Sequence, residues 1–104
     1  MRHVRKKPFT IAEIRNLIRP VAIRYGVERV FLFGSYARGE VKPGSDIDLR
    51  IDSGAIQDLF ELSGFHLELE DVLSESVDVL TTNCLEPEFL SRIANEEVVL
   101  YERA

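Results

Sequence analysis

The segment from Gly34 to Leu49 constrains the fold of this chain more than any other part of its sequence. A small-residue turn, Gly34-Ser35, directly follows the continuous apolar run Val30-Phe31-Leu32-Phe33. A short apolar run that ends in glycine is typical of a central strand, and we expect both faces of this strand to be covered. The turn then predicts a short helix from Ser35 to Arg38, followed by a loop from Glu40 to Ser45 that contains a Pro-Gly pair.

A second strand is predicted from the strict alternation of residues 46–52. Successive side chains of a strand point to opposite faces of the sheet, so alternate residues share a face. The apolar set is Ile47, Leu49 and Ile51, and the polar set is Asp46, Asp48, Arg50 and Asp52. We therefore expect one face of this strand to pack on the core and the other to carry charged groups.

An amphipathic helix is predicted before the first strand. Thr10 and Glu13 form a capping box at its start, and Gly26 is a natural C-terminal stop. Pro20 should kink this helix or split it, because its ring meets the carbonyl group four residues back.

The second half of the chain predicts two more helices and two more strands. A helical pattern runs from about Ala55 to Leu73. Its predicted core stripe is Ile56, Leu59, Phe60 and Leu67, continued approximately by Leu69, Val72 and Leu73. The other predicted elements are a strand at 77–80, a short helix from Pro87 to about Asn95, and an edge strand at 98–101. The whole order predicts an α/β fold, a small mixed β-sheet with helices packed on it.

Composition and charge narrow the possible classes of function. The 104 residues should form a single domain, and the net charge of −5 argues against nucleic-acid binding by the chain as a whole. No apolar run approaches the roughly 18 residues of a membrane span, so a cytoplasmic location is expected. The single cysteine, Cys84, excludes an intramolecular disulfide. A flexible tail over residues 1–8, or a contact with a partner or RNA, is predicted from Arg2, Arg5, Lys6 and Lys7.

The paired acids of the second strand indicate a metal site. Asp46 and Asp48 share a face, with their Cα atoms about 6.5–7 Å apart. Two like charges about 4–6 Å apart repel by roughly 3–4 kcal/mol at an effective dielectric near 20. A divalent cation relieves that repulsion, and Mg²⁺ prefers carboxylate, phosphate and water oxygens. Alternation alone would also fit an exposed polar strand face.

The Gly34-Ser35 turn supplies groups that can hold phosphate. Gly34 lets the backbone approach a ligand closely, and the Ser35 hydroxyl can donate a hydrogen bond. Arg38 lies one helical turn along and can form charge-assisted bonds to phosphate, although it also fits an ordinary surface position. Ser45 is a further candidate for nucleotide binding and equally fits a role in supporting the loop before Asp46.

A third acid, Asp78, lies in the apolar run Val77-Asp78-Val79-Leu80. A lone carboxylate is costly in such a strand unless it is paired or bound to a metal. If this strand lies beside the second one, Asp78 reaches the same site as Asp46 and Asp48. There it could ligate metal and take a proton from an attacking hydroxyl group. The alternative is a solvent-facing strand residue.

These motifs resemble those of the DNA polymerase β-like nucleotidyltransferases. Gly-Ser, ten residues and then Asp-x-Asp is the pattern of that superfamily. The fuller form, Gly-Ser-Tyr-Ala-Arg-Gly at 34–39 and Ser-Asp-Ile-Asp-Leu at 45–49, is similar to the minimal nucleotidyltransferases, or MNT proteins. The resemblance covers about residues 30–80 and implies the nucleotidyltransferase fold.

The same resemblance implies roles for the site residues. The catalytic carboxylates, which would also bind two Mg²⁺ ions, are Asp46, Asp48 and Asp78. The residues that would hold the triphosphate of ATP are Gly34, Ser35 and Arg38.

The resemblance also implies a partner. MNT proteins are commonly encoded beside a HEPN-type RNase toxin, and they act as its antitoxin by transferring AMP from ATP to a tyrosine of the toxin. The chain would then be a Mg²⁺-dependent protein adenylyltransferase that binds its partner in a hetero-oligomer. Two other functions stay open, namely a non-catalytic antitoxin that covers its partner and a small-molecule nucleotidyltransferase.

Overall fold

The structure is a computed structural model that describes residues 7–104. The predicted order of helices and strands is confirmed over this range, whereas Arg2, Arg5 and Lys6 of the predicted basic tail lie outside it. The elements are α1 (Ile11–Tyr25), β1 (Arg29–Phe33), α2 (Gly34–Arg38), β2 (Ile47–Asp52), α3 (Leu59–Leu73), β3 (Val77–Thr81), a 3₁₀ turn (Thr82–Cys84), α4 (Pro87–Ala94) and β4 (Val98–Glu102).

The four strands form one mixed sheet in the order β3-β2-β1-β4. β1 pairs antiparallel with β2 on one side and with β4 on the other, while β2 and β3 run parallel. A parallel pair needs a crossover connection, and α3 provides it. The mixed sheet and the edge position of β4 confirm the sequence-based prediction.

The core lies on one face of the sheet, beneath α1 and α3. Alternate strand residues face it, which explains why Ile47, Leu49 and Ile51 are fully buried as the alternation predicts. The prediction that β1 is covered on both faces is wrong at Phe31, which is only half-buried. There the other sheet face is charged, and the Arg50 guanidinium carbon lies 4.0 Å from the centre of the Phe31 ring.

The first helix is a single element, so the predicted split at Pro20 does not occur. Its capping box is present, since the Thr10 side chain accepts from the Glu13 N–H and the Glu13 carboxylate accepts from the Thr10 N–H. Gly26 ends the helix in the left-handed conformation, as predicted. The residues that bury α1 against the core lie on both sides of the proline: Ile14, Ile18, Val21 and Ala22.

The third helix differs from its prediction in its start and in its buried face. It begins at Leu59 because the Asp58 side chain caps it by accepting from the Glu61 N–H. Its core stripe is Phe65, Leu69 and Leu73, which share a face at four-residue spacing. The predicted stripe is confirmed at Ile56, Leu69 and Leu73, which are buried. It is wrong at three residues that are exposed: Leu59 (79%), Phe60 (91%) and Leu67 (63%).

Gly64 marks the place where α1 and α3 pack together, and it does not interrupt the helix. A Cβ atom at this position would lie 2.9 Å from the Tyr25 hydroxyl oxygen, so a larger residue would require the Tyr25 side chain to shift. The same Tyr25 ring packs edge-on against Phe65, with the ring centres 5.6 Å apart. Among the helices of residues 7–104, none has the length and apolar character that crossing a membrane requires.

Candidate active site

Two of the predicted acidic residues meet on the polar face of the sheet. Asp48 of β2 is paired in register with Asp78 of β3, and because paired residues share a face, both carboxylates lie on the side away from the core. Asp48 is half-buried and Asp78 is exposed. β3 thus lies beside β2 and brings Asp78 next to Asp48.

The Gly34 turn lies directly against the same carboxylate. Asp48 is also paired with Phe33 across the β1–β2 ladder, so the residue after Phe33 sits at the Asp48 side chain. A Cβ atom at Gly34 would lie 2.1 Å from Asp48 Oδ2, and the Gly34 φ of +73° is one that glycine favours. The Gly34 turn, which is predicted to hold phosphate, and the acidic strand of the sequence motif are therefore in contact.

Burial and crowding of negative charge perturb the Asp48 carboxyl. Its pKa is raised from its ordinary value of 3.8 to about 6, chiefly because the group is partly removed from water. The charge of Asp78, a hydrogen bond between the two carboxyl groups, and the charge of Asp46 raise this pKa further. The Arg38 guanidinium opposes the shift. A perturbed carboxyl of this kind is common at functional sites.

Asp46 stands apart from the other two acids. It precedes β2 in an exposed position and reaches Asp48 through its charge. Within residues 7–104 no group of three or more His, Cys, Asp or Glu side chains has the arrangement of a formed metal site. The donor chemistry nevertheless suits Mg²⁺, because the groups are carboxylate oxygens and their mutual repulsion is relieved by a cation.

The short helix α2 carries the predicted phosphate ligands. It begins at Gly34, and Ser35 is half-buried in its first turn. Arg38 ends the helix with an exposed side chain that forms ion pairs with Glu40 (Nε–Oε1, 2.9 Å) and Glu96 (Nη1–Oε2, 3.0 Å). Tyr36, between Ser35 and Arg38, is buried in the hydrophobic core.

Glu96 is a site residue that sequence reasoning missed. Its Oε2 atom accepts a hydrogen bond from the Gly34 N–H (2.7 Å) and one from Arg38 Nη1 (3.0 Å). The contact between Glu96 and Gly34 follows from the pairing of β4 with β1, in which Leu32 is opposite Val98. Continued by two residues, that antiparallel register places Glu96 opposite Gly34.

A second ion pair fixes the loop that carries Glu96. Arg50 binds Glu97 through two hydrogen bonds, Nε to Oε2 at 2.6 Å and Nη2 to Oε1 at 2.8 Å. A third hydrogen bond joins Arg50 Nη1 to the Thr82 hydroxyl at 2.7 Å. Arg50 is therefore held by Glu97 and Thr82, on the same sheet face as Asp48 but further along the strand.

Ser45 has a structural contact in the loop before Asp46. Its hydroxyl oxygen accepts from the Lys42 N–H (3.0 Å), and its own N–H donates to the Lys42 carbonyl (2.9 Å). These bonds close a turn around Pro43 and Gly44. This geometry supports the loop-forming interpretation of Ser45, and a role in nucleotide binding stays a prediction.

The start of β3, next to Asp78, is held by two side chains of α3. The backbone of Val77 donates its N–H to Glu70 Oε2 (3.0 Å), and its carbonyl accepts from His66 Nε2 (2.5 Å). The sequence shows these residues only as polar positions of a helix, because their contacts depend on how the crossover returns to the sheet.

Comparison with known protein families matches residues 16–104 to the family described as polymerase beta, nucleotidyltransferase. The chain belongs to this family. The nucleotidyltransferase fold and activity class implied by the motifs are thereby confirmed, and the match extends well beyond the motif region itself.

Two relatives match the nucleotidyltransferase over most of their own length. A Methanocaldococcus jannaschii protein named "Putative protein adenylyltransferase MJ0435" is 46% identical over 88 residues, which span 85% of this chain and 95% of the relative. Protein adenylyltransferase MntA of Thermococcus cleftensis is 30% identical over 93 residues, which span 86% and 94%.

A solved structure has the same fold at low sequence identity. It is that of a tri-AMPylated Shewanella oneidensis HEPN toxin in complex with MNT antitoxin, and a chain in it matches with a TM-score of 0.68 and 17% identity. The match covers 89% of this nucleotidyltransferase and 73% of that chain.

Proposed function

We propose that this nucleotidyltransferase is a protein adenylyltransferase that transfers AMP from ATP to a tyrosine of a HEPN-type RNase toxin and so acts as its antitoxin. The observation that carries the proposal is the Asp48–Asp78 carboxyl pair lying against the Gly34 turn. That arrangement places groups suited to metal and to phosphate side by side. The names of the two relatives and the AMPylated toxin of the similar structure support protein as the acceptor.

The phosphate chain of ATP would bind at α2. The Gly34 N–H and the Ser35 hydroxyl are hydrogen-bond donors for phosphate oxygens, and the Arg38 guanidinium adds a charge-assisted bond. Holding the triphosphate here would direct its α-phosphate toward the carboxyl pair on β2 and β3. Orientation of the two reactants is a large part of catalysis in phosphoryl transfer.

The acidic residues would hold Mg²⁺ and handle the proton. Mg²⁺ would bind at Asp46, Asp48 and Asp78, where it supplies charge neutralisation for the phosphates and the departing pyrophosphate. Asp78 would accept the proton of the tyrosine hydroxyl. The tyrosine oxygen then forms a bond to the α-phosphorus. The bond between the α-phosphorus and the oxygen that bridges it to the β-phosphorus breaks, and pyrophosphate leaves.

Intact-mass spectrometry of the toxin tests this proposal. The purified chain is incubated with ATP, Mg²⁺ and the HEPN-type protein encoded beside its gene, at one tenth of the toxin concentration. We expect discrete additions of AMP to the toxin, located on tyrosine by peptide mapping. Asp48→Asn should abolish the additions. Asp52→Asn is the matched control, because Asp52 lies on the same strand and the same face but binds Arg29 and Thr82.

The outcomes separate the competing functions. Loss of toxin activity at sub-stoichiometric amounts with ATP supports the enzyme. Loss of toxin activity only at equal amounts and without ATP would show a sequestering antitoxin. AMP transfer that is equal for the wild-type chain and Asp48→Asn would exclude the proposed site.

A further inference from the structure

Glu96 occupies the place where the proposed function puts phosphate. One oxygen of its carboxylate accepts hydrogen bonds from both the Gly34 N–H (2.7 Å) and Arg38 Nη1 (3.0 Å). These are two of the three groups that would hold the triphosphate. A carboxylate and a phosphate oxygen present the same charge sign and the same acceptor chemistry, so the two compete for these donors.

The backbone around Glu96 is fixed, so the competing group is the side chain alone. The N–H groups of Glu96 and Glu97 both donate to the Ile93 carbonyl at the end of α4, each at 3.0 Å. The next residue after them begins β4, and Glu97 is tied to Arg50 by two hydrogen bonds. The Glu96 side chain itself is 24% exposed, which leaves it room to rotate toward water.

Arg38 has a second anionic partner that would stay in place. Its Nε donates to Glu40 Oε1 at 2.9 Å, so a different nitrogen from the one that contacts Glu96 makes this bond. When Glu96 leaves, the guanidinium keeps this contact, and its Nη1 donor becomes available. The site thus has a defined arrangement ready for phosphate after one side-chain rotation.

We propose that Glu96 is an internal competitor for the triphosphate and sets the affinity of the site for nucleotide. The inference rests on the proposed function, since it assumes that phosphate binds at Gly34 and Arg38. In the absence of nucleotide, Glu96 satisfies these donors and neutralises Arg38. ATP must displace the carboxylate, so part of the binding free energy is used to break the two contacts.

Equilibrium titration of four proteins tests the inference. The probes are ATP with Mg²⁺ and inorganic pyrophosphate with Mg²⁺, and the proteins are the wild-type chain, Glu96→Gln, Glu96→Ala and Glu97→Gln. Removal of the charge should tighten binding of both probes by about tenfold, because a charge-assisted contact is replaced by a neutral one or by none. Glu96→Ala serves as a second variant should the glutamine side chain keep the contact with Gly34.

Glu97→Gln is the matched control. It also removes one negative charge from the same loop, but that charge faces Arg50 and not the phosphate donors. We expect this variant to melt at a lower temperature and to bind the probes no more tightly than the wild-type chain. Tightening by Glu97→Gln equal to that by Glu96→Gln would overturn the inference, since it would reflect net charge alone.

The remaining outcomes separate a failure of this inference from a failure of the proposed function. If both Glu96 variants bind ATP no more tightly than the wild-type chain, while the wild-type chain transfers AMP to the toxin, Glu96 is not a competitor and the proposed function stands. If neither the wild-type chain nor any variant binds ATP or transfers AMP, both are wrong.

Discussion

The backbone of Gly34 lies so close to the Asp48 carboxylate that no side chain fits between them. A Cβ atom at position 34 would lie 2.1 Å from Asp48 Oδ2 and 3.0 Å from Asp48 Cγ. The glycine of the turn and the second acid of the strand therefore form one packed unit. A residue with a side chain at position 34 would therefore displace the Asp48 carboxylate.

Gly34→Ala should damage both stability and activity. The substitution forces a methyl group into the Asp48 carboxylate and places alanine at a φ of +73°. We expect a loss of roughly 2–4 kcal/mol in the free energy of unfolding and at least about a 100-fold loss of AMP transfer. Urea denaturation and the mass-spectrometric transfer assay measure the two effects.

Gly39→Ala is the control for that experiment. Gly39 also has a φ of +73°, at the end of the same helix, but nothing lies within 4 Å of the added methyl group. It should therefore show only the backbone penalty of about 1–2 kcal/mol and keep most of its activity. Equal losses of activity in both variants would contradict a specific contact between Gly34 and Asp48.

The Asp48 carboxyl should make the metal-free protein less stable as the pH rises. Its pKa is raised from 3.8 to about 6 by burial and by Asp78, so between these values the folded chain holds more protons than the unfolded chain. The free energy of unfolding then falls as pH increases through this window and is lower above pH 6. Asp48→Asn should remove this dependence and be more stable than the wild-type chain at pH 8, by roughly 1–2 kcal/mol after allowance for the half-exposed position.

Thermal denaturation at pH 4, 6 and 8 without metal measures this effect. The difference in melting temperature between Asp48→Asn and the wild-type chain should grow with pH. A constant difference across the three pH values would show that Asp48 does not titrate between them.

Addition of Mg²⁺ should reverse the destabilisation. A ligand that binds only the folded chain raises the free energy of unfolding, by about 2.7 kcal/mol when its concentration is 100 times the dissociation constant. We expect Mg²⁺ to raise the melting temperature of the wild-type chain at pH 8 and to have less effect at pH 5, where Asp48 is largely protonated. Chelation by EDTA should abolish AMP transfer. A similar rise in the melting temperature of Asp48→Asn would show that the metal binds at another site.

The buried face of α3 can be tested with a pair of phenylalanines. Phe65 is fully buried and packs against Tyr25, whereas Phe60 is 91% exposed. Phe65→Ala should lower the free energy of unfolding by about 3–5 kcal/mol, and Phe60→Ala should change it by less than about 0.5 kcal/mol. Urea denaturation of the two variants measures these free energies. A larger loss for Phe60→Ala than for Phe65→Ala would show that the face with Phe60 is the buried one.

The sequence predicts those features of the fold that depend on neighbouring residues. The capping box at Thr10, the glycine stop at Gly26 and the alternation of β2 are local patterns, and the structure contains all three. The apolar run around Asp78 likewise predicts a strand, but the sequence does not say that this strand pairs with β2. The parallel pairing of β2 with β3 determines the register, which sets Asp78 beside Asp48.

The features that the sequence does not predict depend on distant contacts. α3 carries apolar residues on two faces, and helical spacing alone cannot tell that Phe65 is buried while Leu59 and Phe60 are exposed. The buried face also packs against α1, where the Tyr25 ring contacts Phe65 and its hydroxyl lies close to Gly64. Glu96 is separated from Gly34 by 62 positions, and only the pairing of β4 with β1 joins them.

The crossover through α3 has a consequence for when the chain first becomes competent to react. Gly34 and Asp48 come together when the consecutive strands β1 and β2 pair, whereas Asp78 reaches them only when β3 has paired in parallel with β2 across the α3 crossover. Pairing between strands that are distant in the sequence is slow compared with pairing between close ones. A chain still emerging from the ribosome would therefore hold an incomplete set of carboxylates. Under the proposed function, AMP transfer would begin only once synthesis has passed β3 and this edge strand has paired with β2.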